Sequence, residues 1–268
     1  MTKSVVLFDM DGTLTPARKK VEANIVSKLK ELSRYAEIGI VTGSDLPYLK
    51  EQCFDIWNRF DGCNPTKITL LPCNGTKRLT WVDGEFKLTD SVDMRDHIGT
   101  VMYNKLIEKL VDVQSYFIRY TMPVYPLTGT FISYRGSLLN YCPIGRDANH
   151  SDRKKFTDLD ETNLIRSRLL DRLATTFKEG NDILEMRLGG ETSIDIFPTG
   201  WDKSFALRYF EGYDVHFVGD RCQKGGNDFD IYNVMMRGNK HSTTGPDNTA
   251  LIIDKIIEKL TQDRGEIQ

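Results

Sequence analysis

The chain has 268 residues and a formal net charge of −2, with 40% hydrophobic and 28% charged residues. This composition is typical of folded globular domains, and the near-neutral charge gives no electrostatic reason to expect nucleic acid or a membrane as a partner. No apolar stretch reaches the roughly 18 residues of a membrane span. Asp9 and Asp11 also interrupt the first apolar run too early for a signal peptide, so a cytoplasmic location is expected.

The first part of the chain alternates strands and helices. The apolar run SVVLF at residues 4–8 predicts a buried strand, and the spacing of apolar residues over 21–32 predicts a helix. A second strand over 37–45 ends in a glycine turn, and a helix is expected from about residue 46. With a third strand over 68–75, this β-α-β rhythm indicates a parallel sheet with crossover connections.

The middle of the chain has a different pattern. Two hairpins are predicted, over 78–89 around Asp83-Gly84 and over 129–143, and two further strands over 183–188 and 192–197. The predicted helices of this region are 92–113 and 154–177. Hairpins and helices without a β-α-β rhythm indicate an α+β module that includes an antiparallel sheet.

The first pattern returns after Gly200. Helices are predicted over 201–210, from 227 and over 244–260, with a buried strand over 215–220. The prediction is therefore an α/β core with a Rossmann-like parallel sheet, interrupted by an α+β insert. The core is assigned to residues 1–86 and 198–268, and the insert to residues 87–197.

Polar residues follow several of the predicted core strands. Asp9 ends the first strand, VTGSD at 41–45 closes the second, Asp220 follows a later strand, and Lys203 begins a helix. In an open α/β sheet, ligands bind beyond the carboxyl ends of the strands, so these groups are expected to converge. Clustered carboxylates suit Mg²⁺, which leaves coordination positions for phosphate. One aspartate can then act as a nucleophile and Asp11 as a general acid or base.

Four short motifs resemble those of the haloacid-dehalogenase-like phosphotransferases: DMDGTLT at 9–15, VTGSD, Lys203, and Asp220 with the later Asn-Asp pair. The resemblance implies that Asp9 is the nucleophile and Asp11 the acid/base. Thr42 or Ser44 would correspond to the second motif, and Ser44 and Lys203 are taken as catalytic. Mg²⁺ would be held by Asp9, the backbone carbonyl of Asp11 and Asp220. Asn227 and Asp228 would support the metal site.

Three further segments resemble the eukaryotic phosphomannomutase family: TPAR at 15–18, YRGSLLNYCPIGR at 134–146, and GGETSIDIFPTGWDK at 189–203. In that family the insert is the cap domain, which recognises the substrate. The resemblance implies that arginines grip phosphate and that a serine–aspartate pair contacts the sugar, and an asparagine is added as a further polar contact on the basis of its chemistry. The corresponding residues are Arg18, Arg135 and Arg146, the pair Ser193 and Asp195, and Asn140.

The family resemblance also implies a reaction. Mannose 6-phosphate and mannose 1-phosphate would be interconverted through an aspartyl phosphate, with Mg²⁺ as cofactor, a hexose 1,6-bisphosphate as activator, and the product feeding GDP-mannose synthesis. A homodimer formed through the cap is implied as well. The sequence departs from the family at two places. Thr128 stands where the family usually has a basic residue, and residues 232–240 lack the carboxylate associated with a second cation.

Two other functions stay open from the sequence. One is a sugar-phosphate phosphatase of the same superfamily, because Thr128 replaces a basic residue that would help to hold phosphate. The other is a catalytically weak regulator that binds sugar phosphate. The presence of Asp9, Asp11, Lys203 and Asp220 argues against the regulator.

Overall fold

The computed structural model describes residues 2–58, 62–121, 126–177 and 183–265. The chain divides into two compact units. Residues 1–91 and 201–268 form the first unit, here called the core, and residues 92–200 form the second, here called the cap. Among the described helices, none combines the length and apolar character needed to cross a lipid bilayer.

Within the described residues, the core contains a seven-stranded sheet of order β11-β10-β1-β2-β3-β4-β5. Its strands are β1 (Ser4–Phe8), β2 (Glu37–Val41), β3 (Ile68–Leu71), β4 (Lys77–Val82), β5 (Glu85–Ser91), β10 (Asp214–Gly219) and β11 (Lys240–Ser242). The strands from β11 to β3 run parallel, while β4 and β5 add an antiparallel hairpin at one edge. The predicted parallel-sheet core is therefore confirmed.

Helices cover both faces of the core sheet. They are α1 (Ala23–Leu32), α2 (Leu46–Cys53), α7 (Phe229–Val234) and α8 (Pro246–Gly265), with 3-10 turns at Phe54–Trp57, Pro65–Lys67, Cys73–Gly75 and Lys203–Phe210. Val6 and Phe8 of β1 pack into the cluster on the side of α1 and α8. Val5 and Leu7 pack on the other side, with Ala206. Burial on both faces explains why β1 is continuously apolar rather than alternating.

The cap contains, among its described residues, a four-stranded antiparallel sheet of order β6-β7-β9-β8. Its strands are β6 (Ile132–Tyr134), β7 (Leu139–Tyr141), β8 (Leu184–Gly189) and β9 (Ser193–Pro198), and its helices are α3 (Met94–Ile98), α4 (Thr100–Thr121), α5 (His150–Asn163) and α6 (Ile165–Phe177). Alternate residues such as Tyr141, Ile194 and Ile196 are buried. Asn140 and Asp195 lie on the opposite face, because successive strand residues point to opposite sides.

Two domain boundaries and two predicted helices differ from the structure. The predicted domain boundary at 86/87 cuts through β5, which pairs with β4 in the core sheet, so the core extends to residue 91 and returns at residue 201 rather than 198. The helix predicted over 92–113 is two helices that meet at Gly99, whose φ of 77° interrupts the first. The helix predicted over 154–177 breaks at Leu164, which has a left-handed φ of 51°.

Candidate active site

The carboxyl end of β1 lies where the connections of the core sheet change direction. From β1 the chain proceeds to β2 and β3 on one side, while β10 and β11 lie on the other. Such a switch point leaves a crevice beyond the strand ends, where α/β proteins bind ligands. Asp9 directly follows β1, and its backbone N–H donates to the carbonyl of Val218 in β10 (2.9 Å). The nucleophile candidate is therefore fixed at the end of β1, where this strand pairs with β10.

Lys203 bridges two buried carboxylates in this crevice. Its ammonium donates to Asp9 Oδ1 and, at 2.6 Å, to Asp228 Oδ1. All three residues are almost fully buried, and Lys203 begins a 3-10 helix that Asp202 caps by accepting from Ser204 N–H (2.7 Å). Asp9 Oδ1 therefore accepts from Lys203, while Asp9 Oδ2 accepts from Thr13 Oγ1 (3.3 Å).

The charges of this cluster do not balance. Asp9, Asp220 and Asp228 bring one carboxylate oxygen each within 4.8 Å of one another. Burial raises the pKa of Asp9, and the charge of Asp228 raises it further against the opposing effect of Lys203. Burial and Asp228 raise the pKa of Asp220 as well. Burial alone would lower the pKa of Lys203, but its two carboxylate neighbours raise it above the ordinary value. One ammonium among three carboxylates leaves two negative charges, which one divalent cation would neutralise.

Asp220 provides the observation that tests a metal at this position. Its Oδ1 is buried and accepts no hydrogen bond within the described residues. Its carboxylate lies against Gly12, where an added Cβ would come within 2.4 Å of Oδ2. An oxygen that is buried without a donor is costly unless a cation takes that role. The residues therefore fit a hard, oxygen-ligated cation such as Mg²⁺.

Asp11 lies two residues after Asp9, in a tight loop. Gly12 N–H donates to the carbonyl of Thr15 (2.7 Å), and Asp11 forms an isolated β-bridge with Thr15. The Asp11 side chain accepts from Tyr48 Oη (3.0 Å) and from the backbone N–H of Arg18 (3.1 Å). Burial and the charge of Asp11 raise the pKa of Tyr48, so its hydroxyl keeps the proton that it donates.

The remaining predicted core residues lie around this cluster with different environments. Thr42 is buried, and its Oγ1 accepts from the backbone N–H of Ser44 (3.1 Å). Ser44 is half-buried, and its carbonyl accepts from Cys73 N–H (2.9 Å). Asn227 is exposed, whereas Asp228 lies inside the carboxylate cluster, closer to the centre than its predicted supporting position.

A second polar cluster lies on the face of the cap sheet opposite the buried apolar residues. Asn140 of β7 stands directly across from Asp195 of β9 in the register. The Asn140 amide donates to Asp195 Oδ1 (2.6 Å) and to Ser193 Oγ (2.9 Å), and its carbonyl oxygen accepts from Arg146 Nη1 (2.5 Å). Asn140 therefore connects three of the predicted substrate residues.

Arginines surround the single carboxylate of this cluster. Burial raises the pKa of Asp195, and the charges of Arg135 and Arg146 and the hydrogen bond from Asn140 oppose that rise. Arg135 lies in the turn between β6 and β7, where its N–H donates to the carbonyl of Leu138 (2.9 Å). Gly189 makes room for the carboxylate, since a Cβ there would lie 2.4 Å from Asp195 Oδ2.

Thr128 lies beside the segment that carries Arg146. Its Oγ1 and its N–H both donate to the carbonyl of Ile144, at 3.3 and 3.1 Å. Gly145 fits closely here, because a Cβ at this position would meet the Gly129 carbonyl at 2.2 Å. Thr128 therefore contributes a neutral contact to this loop rather than a positive charge.

These features agree with comparisons to known proteins. A model of the family described as eukaryotic phosphomannomutase matches residues 25–259. The phosphomannomutase of Schizosaccharomyces pombe is 35% identical over 269 residues, covering 95% of each chain. That of Arabidopsis thaliana is 34% identical over 247 residues, covering 91% of this chain and 93% of its own. This chain belongs to the eukaryotic phosphomannomutase family. It is an enzyme of that type.

Solved structures support the fold of this chain. An N-terminally truncated IMP-nucleotidase of Plasmodium falciparum matches with a TM-score of 0.60 at 13% identity, over 95% of this chain and 70% of its own. A trehalose-6-phosphate phosphatase related protein matches with a TM-score of 0.53 at 17% identity, over 97% of this chain and 100% of its own. At these identities the matches show the haloacid-dehalogenase type of fold alone, which confirms the predicted fold class.

Several residues that shape the two clusters were not predicted from the sequence. Thr13 and Gly12 belong to the segment DMDGTLT at 9–15, so that motif carried a signal for both. Gly189 could have been noticed as the start of GGETS. For Tyr48 the sequence offers no such signal, because its contact with Asp11 depends on where α2 begins.

Proposed function

We propose that this enzyme interconverts mannose 6-phosphate and mannose 1-phosphate through an aspartyl phosphate on Asp9. The observation that carries the proposal is the buried Asp9–Lys203–Asp228 group with Asp220 beside it. Asp9 Oδ would attack phosphorus, and the bond from phosphorus to the sugar oxygen would break. The phospho-Asp9 so formed would give its phosphate to the free hydroxyl of a hexose monophosphate. Asp9 would then take the other phosphate of the resulting bisphosphate, which releases the isomer and restores phospho-Asp9.

Asp11 is assigned the proton transfers of this reaction. It would give a proton to the departing sugar oxygen and later take one from the incoming hydroxyl. Asp9, the backbone carbonyl of Asp11 and Asp220 would hold Mg²⁺, with Asp228 and Asn227 in support. When bound there, the ion would supply positive charge to the phosphate oxygens. Lys203 fixes one oxygen of Asp9 so that the carboxylate cannot rotate freely.

The cap cluster is assigned to the sugar and its distal phosphate. Arginine offers a planar pair of donors that suits phosphate oxygens, and the Asp195 carboxylate can accept from sugar hydroxyls. Arg146 and Arg135 lie beside Asp195, with Asn140 and Ser193 connected to it by hydrogen bonds. Arg18 is exposed in the core and is assigned to phosphate by the family resemblance alone.

Priming by a hexose 1,6-bisphosphate belongs to the same proposal, because Asp9 must be phosphorylated before the first turnover. We place the reaction in the cytoplasm, where its product would feed GDP-mannose synthesis. We further propose a homodimer through the cap, since α4 exposes Val111, Ile118 and Tyr120 beside an apolar cavity of about 320 Å³ lined partly by Phe131. Apolar patches of this kind are typical of protein interfaces.

A coupled assay tests the function. Mannose 1-phosphate is supplied with and without glucose 1,6-bisphosphate and with and without Mg²⁺, and both mannose 6-phosphate and free phosphate are followed in one tube. We expect isomer conversion that needs both additions and exceeds phosphate release. Phosphate release without conversion would instead indicate a sugar-phosphate phosphatase. This is the second candidate because Thr128 contributes only a neutral contact, to the Ile144 carbonyl, where a basic residue would help to hold phosphate. Neither product would indicate a regulator.

A further inference from the structure

Two donors meet on one oxygen of Asp11. Tyr48 Oη lies 3.0 Å from Asp11 Oδ1, and the Arg18 N–H lies 3.1 Å from the same atom. Both hydrogen bonds therefore go to Oδ1 rather than Oδ2. Two donors on one oxygen restrict rotation of the carboxylate and leave the other oxygen available for a different partner.

The backbone around this contact is arranged to place both donors. Arg18 has a left-handed φ of 61°, a conformation that is unfavourable for a residue with a Cβ, and Lys19 N–H closes the turn on the Pro16 carbonyl (2.9 Å). Tyr48 lies in the first turn of α2, where its own N–H donates to the capping Asp45 side chain (3.4 Å). Strain of this kind persists where the surrounding structure determines the geometry.

We propose that Tyr48 is a positioning residue for Asp11 in proton transfer, an inference that rests on the proposed function of Asp11. The Tyr48 hydroxyl holds Oδ1, so Oδ2 is the atom that exchanges a proton with the sugar oxygen. As Asp9 forms its bond to phosphorus, the bond to the sugar oxygen breaks and the Asp11 proton moves onto that oxygen. In the return step Asp11 takes a proton from the incoming hydroxyl.

The hydroxyl can be removed without removing the ring. Tyr48 packs half-buried against the core cluster on the side of α1 and α8, so Tyr48→Phe keeps this packing and removes only the donor. Tyr35 packs half-buried against the same cluster but precedes β2, at the opposite end of the parallel strands. Tyr35→Phe is therefore the matched control.

Comparing two phosphate donors distinguishes a loss of Asp11 positioning from a general disturbance of the active site. A hexose 1,6-bisphosphate has a sugar leaving group that needs a proton, whereas 4-nitrophenyl phosphate releases a stable anion that needs none. In single-turnover measurements we expect Tyr48→Phe to slow phosphate transfer from glucose 1,6-bisphosphate about tenfold, because one hydrogen bond is lost to a carboxyl group that gains negative charge as its proton leaves. The initial burst of 4-nitrophenolate, which is released as Asp9 is phosphorylated, should slow less than about twofold. The KM for mannose 1-phosphate should also change less than about twofold.

Each result decides the proposal. Equal slowing of both donors, or no slowing of either, would overturn it, as would the same pattern in Tyr35→Phe. Because both rates are measured on one preparation, partial unfolding lowers both amplitudes and leaves their ratio unchanged. If the wild-type chain proves to be a phosphatase, the proposed function fails. The ratio of glucose 1,6-bisphosphate to 4-nitrophenyl phosphate turnover still tests Tyr48.

Discussion

The core and the cap each hold one polar cluster, and the balance between acidic and basic side chains differs between the two clusters. In the core, three carboxylates lie close together, and Lys203 bridges two of them, Asp9 and Asp228. In the cap, two arginines, Arg135 and Arg146, act on the single carboxylate of Asp195. The first arrangement favours binding of a cation and the second favours binding of an anion. The reaction proposed above, with Mg²⁺ at the core and a phosphate at the cap, would use both.

The clusters also differ in how the chain builds them. The core residues come from three separate segments, at Asp9, at Lys203 and at 220–228, and Asp9 and Asp220 meet because their parallel strands end at one edge of the sheet. The cap residues Asn140 and Asp195 meet because their strands are paired in one register. A shift of one residue in that register would move Asn140 to the apolar face. Topology therefore assembles the core cluster, and strand register assembles the cap cluster.

The largest expected effect is loss of the core nucleophile. Asp9→Asn keeps the size of the side chain but removes the group that attacks phosphorus, so turnover should fall by about 10⁴-fold or more. Binding of mannose 1-phosphate, measured by calorimetry, should persist because the cap cluster is unchanged. Full turnover of purified Asp9→Asn would contradict the assignment of the nucleophile.

The second test removes the cation-binding capacity of the core. Mg²⁺ at a hundredfold excess over its Kd should stabilise the wild-type chain by about 2.7 kcal/mol, raising its thermal unfolding midpoint. Asp220→Asn should lose most of this rise, because Asp220 supplies the buried oxygen without a donor. Asp254→Asn, which breaks an outer pair with Lys28, is the control and should respond to Mg²⁺ as the wild type does. An equal rise in both variants would contradict the metal site.

The third test removes a positive charge from the cap. Arg146→Ala takes away the donor to Asn140 and a charge that acts on Asp195, so the KM for mannose 1-phosphate should rise about tenfold to a hundredfold. The 4-nitrophenolate burst, which needs no distal phosphate, should stay near the wild-type value. Lys154→Ala, in an exposed pair with Asp158 on α5, is the matched control. An unchanged KM would contradict the role of Arg146.

The sequence predicts the core cluster better than its immediate surroundings. Asp9, Lys203 and Asp220 were predicted to converge because each lies next to the end of a predicted strand or the start of a helix. Asp228 was given a supporting position because spacing alone does not show that Lys203 reaches it. Tyr48 could not be predicted, since a hydroxyl that reaches Asp11 depends on the exact start of α2.

The wrong boundaries have a similar cause. The hairpin over 78–89 was recognised from its alternation and Asp83-Gly84 turn, but a hairpin pattern does not say which sheet it joins. The break at Leu164 is determined by a contact across it, because the Asp160 side chain accepts from the backbone N–H of Arg166 (2.6 Å) and so caps α6. Helical periodicity continues through such a break.

The smallest expected effect concerns pH, and it separates two parts of the core. Burial lowers the pKa of His241 to about 4, with His216, Lys259 and Lys255 adding to the shift. The unfolded chain takes up this proton near pH 6.5, before the folded chain does, so stability falls as the pH drops from about 6.5 toward 4. The raised pKa of Asp220 acts in the opposite direction, because the folded state binds that proton more tightly than the unfolded state.

Without Mg²⁺, His241→Asn should therefore show a smaller drop in unfolding midpoint between pH 7.5 and 5 than the wild type, and Asp220→Asn a larger one. If the pH-dependent drop in unfolding midpoint became smaller in both variants, or larger in both, the opposite contributions assigned to His241 and Asp220 would be contradicted.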